Sequence, residues 1–182
     1  MHTDRAYHVV VAGSTLFFGN NVDNHLYALD TRSGEERWRF TADGAIRFAP
    51  VFNKGKLYFG SDDGNVYCMN AANGSLTWKY RPSPSGERVI GNGRMISLWP
   101  VRTGLLLEGG TLFLAAGIFP YEGIYVAAID AQTGKHKWQW DGPKPSCGGP
   151  PCFLIDFGSI TFHRSTMDGH VDMVYFTVEG DN

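Results

Sequence analysis

An all-β chain built of four-stranded antiparallel propeller blades is predicted by three observations. A segment occurs three times: Leu26-Tyr-Ala-Leu-Asp30-Thr-Arg-Ser-Gly34-Glu-Glu-Arg-Trp38, Val66-Tyr-Cys-Met-Asn70-Ala-Ala-Asn-Gly74-Ser-Leu-Thr-Trp78 and Val126-Ala-Ala-Ile-Asp130-Ala-Gln-Thr-Gly134-Lys-His-Lys-Trp138. Trp38 to Trp78 is 40 residues and Trp78 to Trp138 is 60, and a period near 40 made of short strands is that of a propeller blade. The composition, with 12 Phe, 8 Tyr, 5 Trp and 23 Gly in 182 residues, favours strands joined by tight turns.

Each unit reads as strands A to D. In the second, strand A is Phe48–Asn53, turning at Lys54-Gly55, and strand B is Lys56–Gly60. Ser61-Asp62-Asp63-Gly64 then turns into strand C, Asn65–Asn70, because Asp-Gly between alternating apolar residues signals a hairpin. Strand D is Ser75–Tyr80. At the C–D turn the Asx side chain (Asp30, Asn70, Asp130) bonds the turn backbone, and Gly34, Gly74 and Gly134 supply positive φ. These residues are turn builders. Trp38, Trp78 and Trp138 lie on the outermost strands and read as blade-to-blade staples, each able to bury ~150–250 Å² and donate its indole N–H. The three units span about residues 6–41, 46–81 and 99–142, with an inserted loop at 81–98. Residues 143–182 form a Gly/Pro-rich tail with room for a partial fourth blade, in which Phe153–Phe157, Ile160–His163 and Val171–Val178 are candidate strands.

Connection lengths point to a functional face. Trp38 to Arg47 is 9 residues, whereas Trp78 to its counterpart Arg102 is 24. B–C spans also vary, while A–B and C–D turns keep their length. D–A and B–C connections share one end of an up-and-down sheet, so the extra chain gathers there, and loops on a rigid scaffold are where binding sits. The candidate ligand residues on that face are Arg47, Arg88, Arg94, Trp99, Arg102, Phe119, Tyr121 and Glu122. Arg47 and Arg102 fall at equivalent positions near innermost strands, where forked hydrogen bonds suit a carboxylate, phosphate or quinone oxygen. The alternative is that they pair with nearby acids. Trp99 and Phe119 alternatively plug the mouth between blades.

Net charge of −2 with scattered Lys and Arg gives no footprint for nucleic acid or an acidic membrane. No apolar run is long enough to span a bilayer, and Met1–Tyr7 has no hydrophobic signal core. Cys68 aligns with Ala28 and Ala128 and reads as a small core residue. Cys147-Gly-Gly-Pro-Pro-Cys152 is a candidate short disulfide loop in an oxidising compartment. His163, Asp168, His170 and Asp172 resemble metal ligands in type, but across a Met-Asp-Gly-His turn they are equally normal for a solvated hairpin, and no metal site is assigned.

The units Ala28-Leu-Asp30…Gly34…Trp38 and Ala128-Ile-Asp130…Gly134…Trp138 resemble the pyrroloquinoline-quinone (PQQ) repeat, over about residues 7–142. That repeat builds the propellers of quinoprotein dehydrogenases and of a non-enzymatic lipoprotein that helps assemble outer-membrane β-barrels. Leu57–Cys68, Arg88–Arg94 and Trp99–Arg102 look closer to bacterial secreted or periplasmic proteins with PQQ-like repeats. The resemblance implies a ring of seven or eight blades and a periplasmic or secreted location. The quinoproteins hold PQQ over a disulfide of adjacent cysteines and ligate calcium with Glu, Asn and Asp; this chain has no Cys-Cys pair, so no catalytic residue carries over. The expected function is a non-catalytic binding or scaffold module of the bacterial cell envelope, meeting a protein, small-molecule or glycan ligand on the loop face. Two alternatives stand beside it: a fragment of a PQQ-dependent oxidoreductase, the only reading that brings in PQQ and calcium, and a carbohydrate-binding propeller in which Trp99, Phe119 and Tyr121 stack on sugars. Three units leave two blade faces bare, to be covered by further blades of a longer chain, by self-association or by the tail; the missing signal core and abrupt ends favour a fragment.

Overall fold

The computed structural model describes residues 8–91, 93–118 and 122–141, and the backbone of 159–164 and 172–177. Phe119, Tyr121, Cys147, Cys152, Asp168 and His170, and with them the disulfide, two of the aromatic ligand candidates and two of the metal-type residues, lie outside the described residues. So does Phe153–Phe157.

Sixteen strands form five antiparallel sheets, with no α-helix among the described residues. Blade 1 is β1 (Val9–Ala12), β2 (Thr15–Gly19), β3 (His25–Asp30) and β4 (Glu36–Thr41). Blade 2 is β5 (Val51–Asn53), β6 (Lys56–Gly60), β7 (Val66–Asn70) and β8 (Leu76–Tyr80). A hairpin of β9 (Arg88–Gly91) and β10 (Arg94–Ser97) precedes blade 3, which is β11 (Leu106–Glu108), β12 (Thr111–Ala116), β13 (Tyr125–Asp130) and β14 (His136–Asp141). β15 (Ser159–Arg164) and β16 (Asp172–Thr177) pair with each other. In each blade the strands are ordered as in the chain.

Two expectations change. The insertion at 81–98 contains a hairpin, not loop alone: Met95 pairs with Ile90 and Ile96 with Val89, and Gly93 takes φ +75° at its turn. Strand A of blade 2 begins at Val51, not Phe48; Pro50 has no N–H to give a ladder.

The C–D turns are built alike. Asp30 Oδ1 accepts from the N–H of Arg32 at 2.8 Å and of Ser33 at 3.0 Å, Asn70 Oδ1 from Ala72 at 2.9 Å, and Asp130 Oδ1 from Gln132 at 3.1 Å and Thr133 at 2.8 Å. Gly34, Gly74 and Gly134 follow at φ +74°, +69° and +70°. Each blade also shifts register one residue before its Asx, between Ala28 and Leu29, Cys68 and Met69, and Ala128 and Ile129.

The hydrophobic core lies between blades. One cluster joins Phe17, Leu26 and Ala28 of blade 1 to Leu57, Phe59, Tyr67 and Met69 of blade 2. The other joins Tyr58, Val66 and Cys68 of blade 2 to Leu112, Leu114, Ala127 and Ile129 of blade 3. Alternate residues of β6 and β7 therefore face opposite neighbours, as the strand period of two requires, and the middle blade is buried on both faces.

Candidate functional site

The D–A and B–C connections meet at one end of the blades, and the insertion stitches them together. Arg94, on β10, donates from Nη1 to the carbonyl of Asn21 in the B–C loop of blade 1. Ser97 N–H donates to the carbonyl of Asp62 in the B–C loop of blade 2 at 2.7 Å. Trp99 Nε1–H donates to the carbonyl of Glu122 in the B–C loop of blade 3 at 2.8 Å. The inserted segment and the Trp99 that follows it thus touch all three blades at their variable ends.

Beneath it lies a charged bridge. Asp62 is 1% exposed and takes both arginines of the equivalent positions. Arg47 donates from Nε to Oδ1 at 3.0 Å and Oδ2 at 2.9 Å, with Nη2 at 2.8 Å from Oδ2. Arg102 donates from Nε to Oδ1 at 2.8 Å and from Nη2 to Oδ2 at 3.0 Å, a forked pair. The side chains of Arg47 and Arg102 are 15% and 16% exposed. The backbone of Asp62 is held as well, its N–H donating to the Ala45 carbonyl at 2.9 Å. A buried carboxylate needs such donors to offset its lost hydration.

Next to Asp62, a second network fixes the same loop. Tyr67 Oη–H donates to Asp63 Oδ2, and Lys79 Nζ lies 3.6 Å from that carboxylate, 3.4 Å from Asp43 and 4.8 Å from the Tyr67 ring centroid. Burial and the neighbouring Asp63 hold the Tyr67 hydroxyl well above the usual tyrosine range. Blade 1 repeats the motif: Tyr27 donates to Asp23 at 2.6 Å. Burial works to raise the Asp23 carboxyl, but the bonds from Tyr27 and the His25 backbone prevail and hold it below the usual range.

A cleft of about 470 Å³ opens on this face, lined by Val22 and Asn24 of blade 1, Asp62, and Arg94, Met95 and Ile96 of the hairpin. Val22 and Met95 project apolar surface there, 64% and 53% exposed, and Ile90, paired with Met95 across the hairpin, is 81% exposed. Arg88 is exposed on β9.

The candidate residues are therefore placed unequally. Arg47 and Arg102 come together, but on Asp62. Arg94 reaches the cleft. Trp99 is 5% exposed and meets the Tyr125 ring edge-on at 5.8 Å; buried and with its N–H committed, it presents no ring face to a sugar, which corrects its reading as a stacking platform. Glu122 enters through its carbonyl. The sequence reading passed over Asp62 and Asp63 as turn residues. Their signals were that Asp62 occupies the position of Glu122 in the third repeat, and that Asp63…Tyr67 repeats Asp23…Tyr27.

The described residues contain no group of three or more His, Cys, Asp or Glu side chains able to hold a metal ion. Cys68, buried in the core between blades 2 and 3, is a free thiol. No helix of the described residues is long and apolar enough to cross a membrane.

Comparison with known proteins agrees with this architecture. A family model described as "Outer membrane protein assembly factor BamB" matches residues 3–148. The chain is 39% identical over 130 residues to the serine/threonine-protein kinase AfsK of Streptomyces coelicolor, covering 71% of this chain and 14% of that protein. It is 30% identical over 130 residues to the dehydrogenase subunit of the quinone alcohol dehydrogenase of Gluconobacter oxydans, covering 62% of this chain and 16% of that protein. The chain thus spans about a sixth or less of these relatives' lengths. The crystal structure of quinohemoprotein alcohol dehydrogenase from Comamonas testosteroni superposes with a TM-score of 0.60 at 21% identity, over 73% of this chain and 20% of that one. The repeated Asx–Gly–Trp blades and the matching family model together establish that this chain belongs to the PQQ-like β-propeller family.

Proposed function

We propose that the chain is a non-catalytic propeller module of the bacterial cell envelope that binds a protein partner on its loop face. The observation that carries this reading is the closed Arg47–Asp62–Arg102 bridge. The two guanidiniums best placed to meet a quinone or carboxylate ligand are spent on a buried carboxylate of the chain itself. What the face offers outward is instead a cleft lined by Val22, Met95 and Arg94, beside a hairpin that also exposes Ile90 and Arg88. Exposed apolar residues with an arginine among them suit a protein contact. The envelope assignment draws on the printed description of the matching family as an outer membrane protein assembly factor.

The runner-up is a segment of a PQQ-dependent oxidoreductase, favoured by the quinone alcohol dehydrogenase relatives. Calorimetric titration of the chain with PQQ and calcium separates the two. The binding-module reading expects no saturable heat and no dye reduction with ethanol. One-to-one retention of PQQ, with dye reduction, overturns it. A photoreactive residue at Met95 is expected to give discrete protein adducts in envelope fractions, and one at Leu76, at the opposite end of the blade, none.

A further inference from the structure

The B–C turns of blades 1 and 2 are built alike, with one residue exchanged. Asp23 Oδ1 accepts from the His25 N–H at 3.0 Å, and Asp63 Oδ1 from the Asn65 N–H at 2.9 Å. The residue between takes positive φ in both turns, +64° at Asn24 and +82° at Gly64. In blade 2 no side chain fits there, because a Cβ on Gly64 would collide with Ser97 of the inserted hairpin. Blade 1 places an asparagine at the same point. Its backbone carbonyl is used, accepting from the Ala42 N–H at 2.9 Å. Its side-chain Oδ1 is buried and receives no hydrogen bond among the described residues. A positive φ asks only for glycine, and a buried carbonyl without a donor costs stability. The turn therefore does not account for the amide oxygen.

Asn24 lines the cleft of about 470 Å³ on the loop face, a volume within the roughly 300–1,000 Å³ of small-ligand sites. The cleft is held by its neighbours. Gly44, in its wall, lies so close to the Asp62–Asp63 backbone that a Cβ there would collide with it, and the Ala45 carbonyl accepts from the Asp62 N–H at 2.9 Å. Arg94 donates from Nη1 to the Asn21 carbonyl, with Nε and Nη2 carrying further donors. Val22, Ala45, Met95 and Ile96 supply apolar surface. An acceptor lacking a donor, a guanidinium and apolar walls are the complement of a peptide unit, which brings an N–H, a carbonyl and an apolar side chain. A cleft already held in shape loses little to ordering when it binds.

We propose that this cleft is the peptide subsite of the loop face. A backbone N–H of the partner donates to Asn24 Oδ1, the partner's carbonyl meets Arg94, and an apolar side chain enters against Val22 and Met95. The proposal rests on the protein-partner reading and names the part of the partner that the face grips.

The test is an NMR titration of the 182-residue chain with N-acetyl-leucine methyl ester, an uncharged probe with a single N–H, carbonyls and an isobutyl group. A probe of this size is expected to bind at about a millimolar, moving the Ile96 amide and Met95 methyl resonances to saturation. Its N-methyl derivative lacks the N–H and is expected to bind about tenfold more weakly, because the acceptor stays unpaired. Two variants separate the oxygen from the turn. Asn24→Gly keeps the positive φ and removes the oxygen. It is expected to bind the probe about tenfold more weakly, with a melting temperature no lower than the parent's. Asn24→Asp keeps an acceptor oxygen and tolerates the same φ, and is expected to bind within about threefold of the parent. Absence of saturable binding, equal binding of the two probes, or Asn24→Gly binding like the parent overturns the proposal. So does an Asn24→Gly chain that melts below the parent, or cross-peaks from the Asn24 amide to the chain's own residues 142–182 in the free protein. The probe needs no partner protein, so any of these results leaves photocrosslinking at Met95 to judge the protein-partner reading separately.

Discussion

At the scale of single residues, Asp62 is the position where sequence and structure part. In sequence it is one of two aspartates in a hairpin turn; in space it is the acceptor for two arginines 55 residues apart. Removing it takes a shared carboxylate from two largely buried guanidiniums, so Asp62→Ala is expected to cost about 3 kcal/mol, read as a lower urea midpoint with unchanged slope. The turn aspartates act differently, because they are exposed. Arg37, with the backbone N–H groups of Ser33 and Arg32, holds the Asp30 carboxyl well below the usual carboxylate range, and Thr133 lowers that of Asp130. A depressed folded value stabilises above the unfolded value of about 4 and is lost as pH falls through the folded one. Melting temperature is therefore expected to drop between about pH 4 and 2, and Asp30→Asn to flatten that drop. Tyr58, pushed up to about 12 by burial first and its neighbour Cys68 second, has the opposite sign: its contribution holds below the unfolded value of about 10 and fades as pH rises toward 12.

At the scale of the element, the C–D turn serves two purposes, and glycine separates them. Gly34 and Gly74 share the same φ, +74° and +69°. Only Gly74 lies under a tryptophan ring. Gly34→Ala is expected to cost about 1 kcal/mol, the strain of a Cβ in the left-handed region. Gly74→Ala adds an overpacking cost against Trp38, for a total of about 3 kcal/mol. Parallel denaturant titrations give the difference directly, and equal losses would refute that contact. The inserted hairpin shows how little local pattern reveals of an element's task. Arg88–Ser97 alternates apolar and polar residues over only a few positions around a glycine turn, which reads as loop. Its bonds to Asn21 and Asp62 join it to blades 1 and 2, and neither partner is near in sequence.

At the scale of the whole molecule, blade 2 is the keystone because both hydrophobic clusters pass through it. Phe59, 1% exposed between blades 1 and 2, is expected to cost about 3–5 kcal/mol on truncation to Ala. Phe113, half-buried in blade 3 with its ring 6.1 Å from that of Trp138, is expected to cost less. Thermal melts of the two variants check the contrast. The sequence by itself determined the blade, its period and its turns, because these rest on contacts within about a dozen residues: Asp30 to Ser33, Asp30 to Gly34, Ala28 beside Trp38. It also marked the end of the blades where chain length varies. Only the tertiary structure decided what the loop-face residues do. Arg47 and Arg102 had an open choice between ligand and acid until folding buried Asp62 between them, and Trp99 had an open choice between platform and plug until folding set its N–H against Glu122. Those choices are made by desolvation, which pairs whatever polar groups the packing brings together and depends on neighbours that the chain reaches only by folding back on itself.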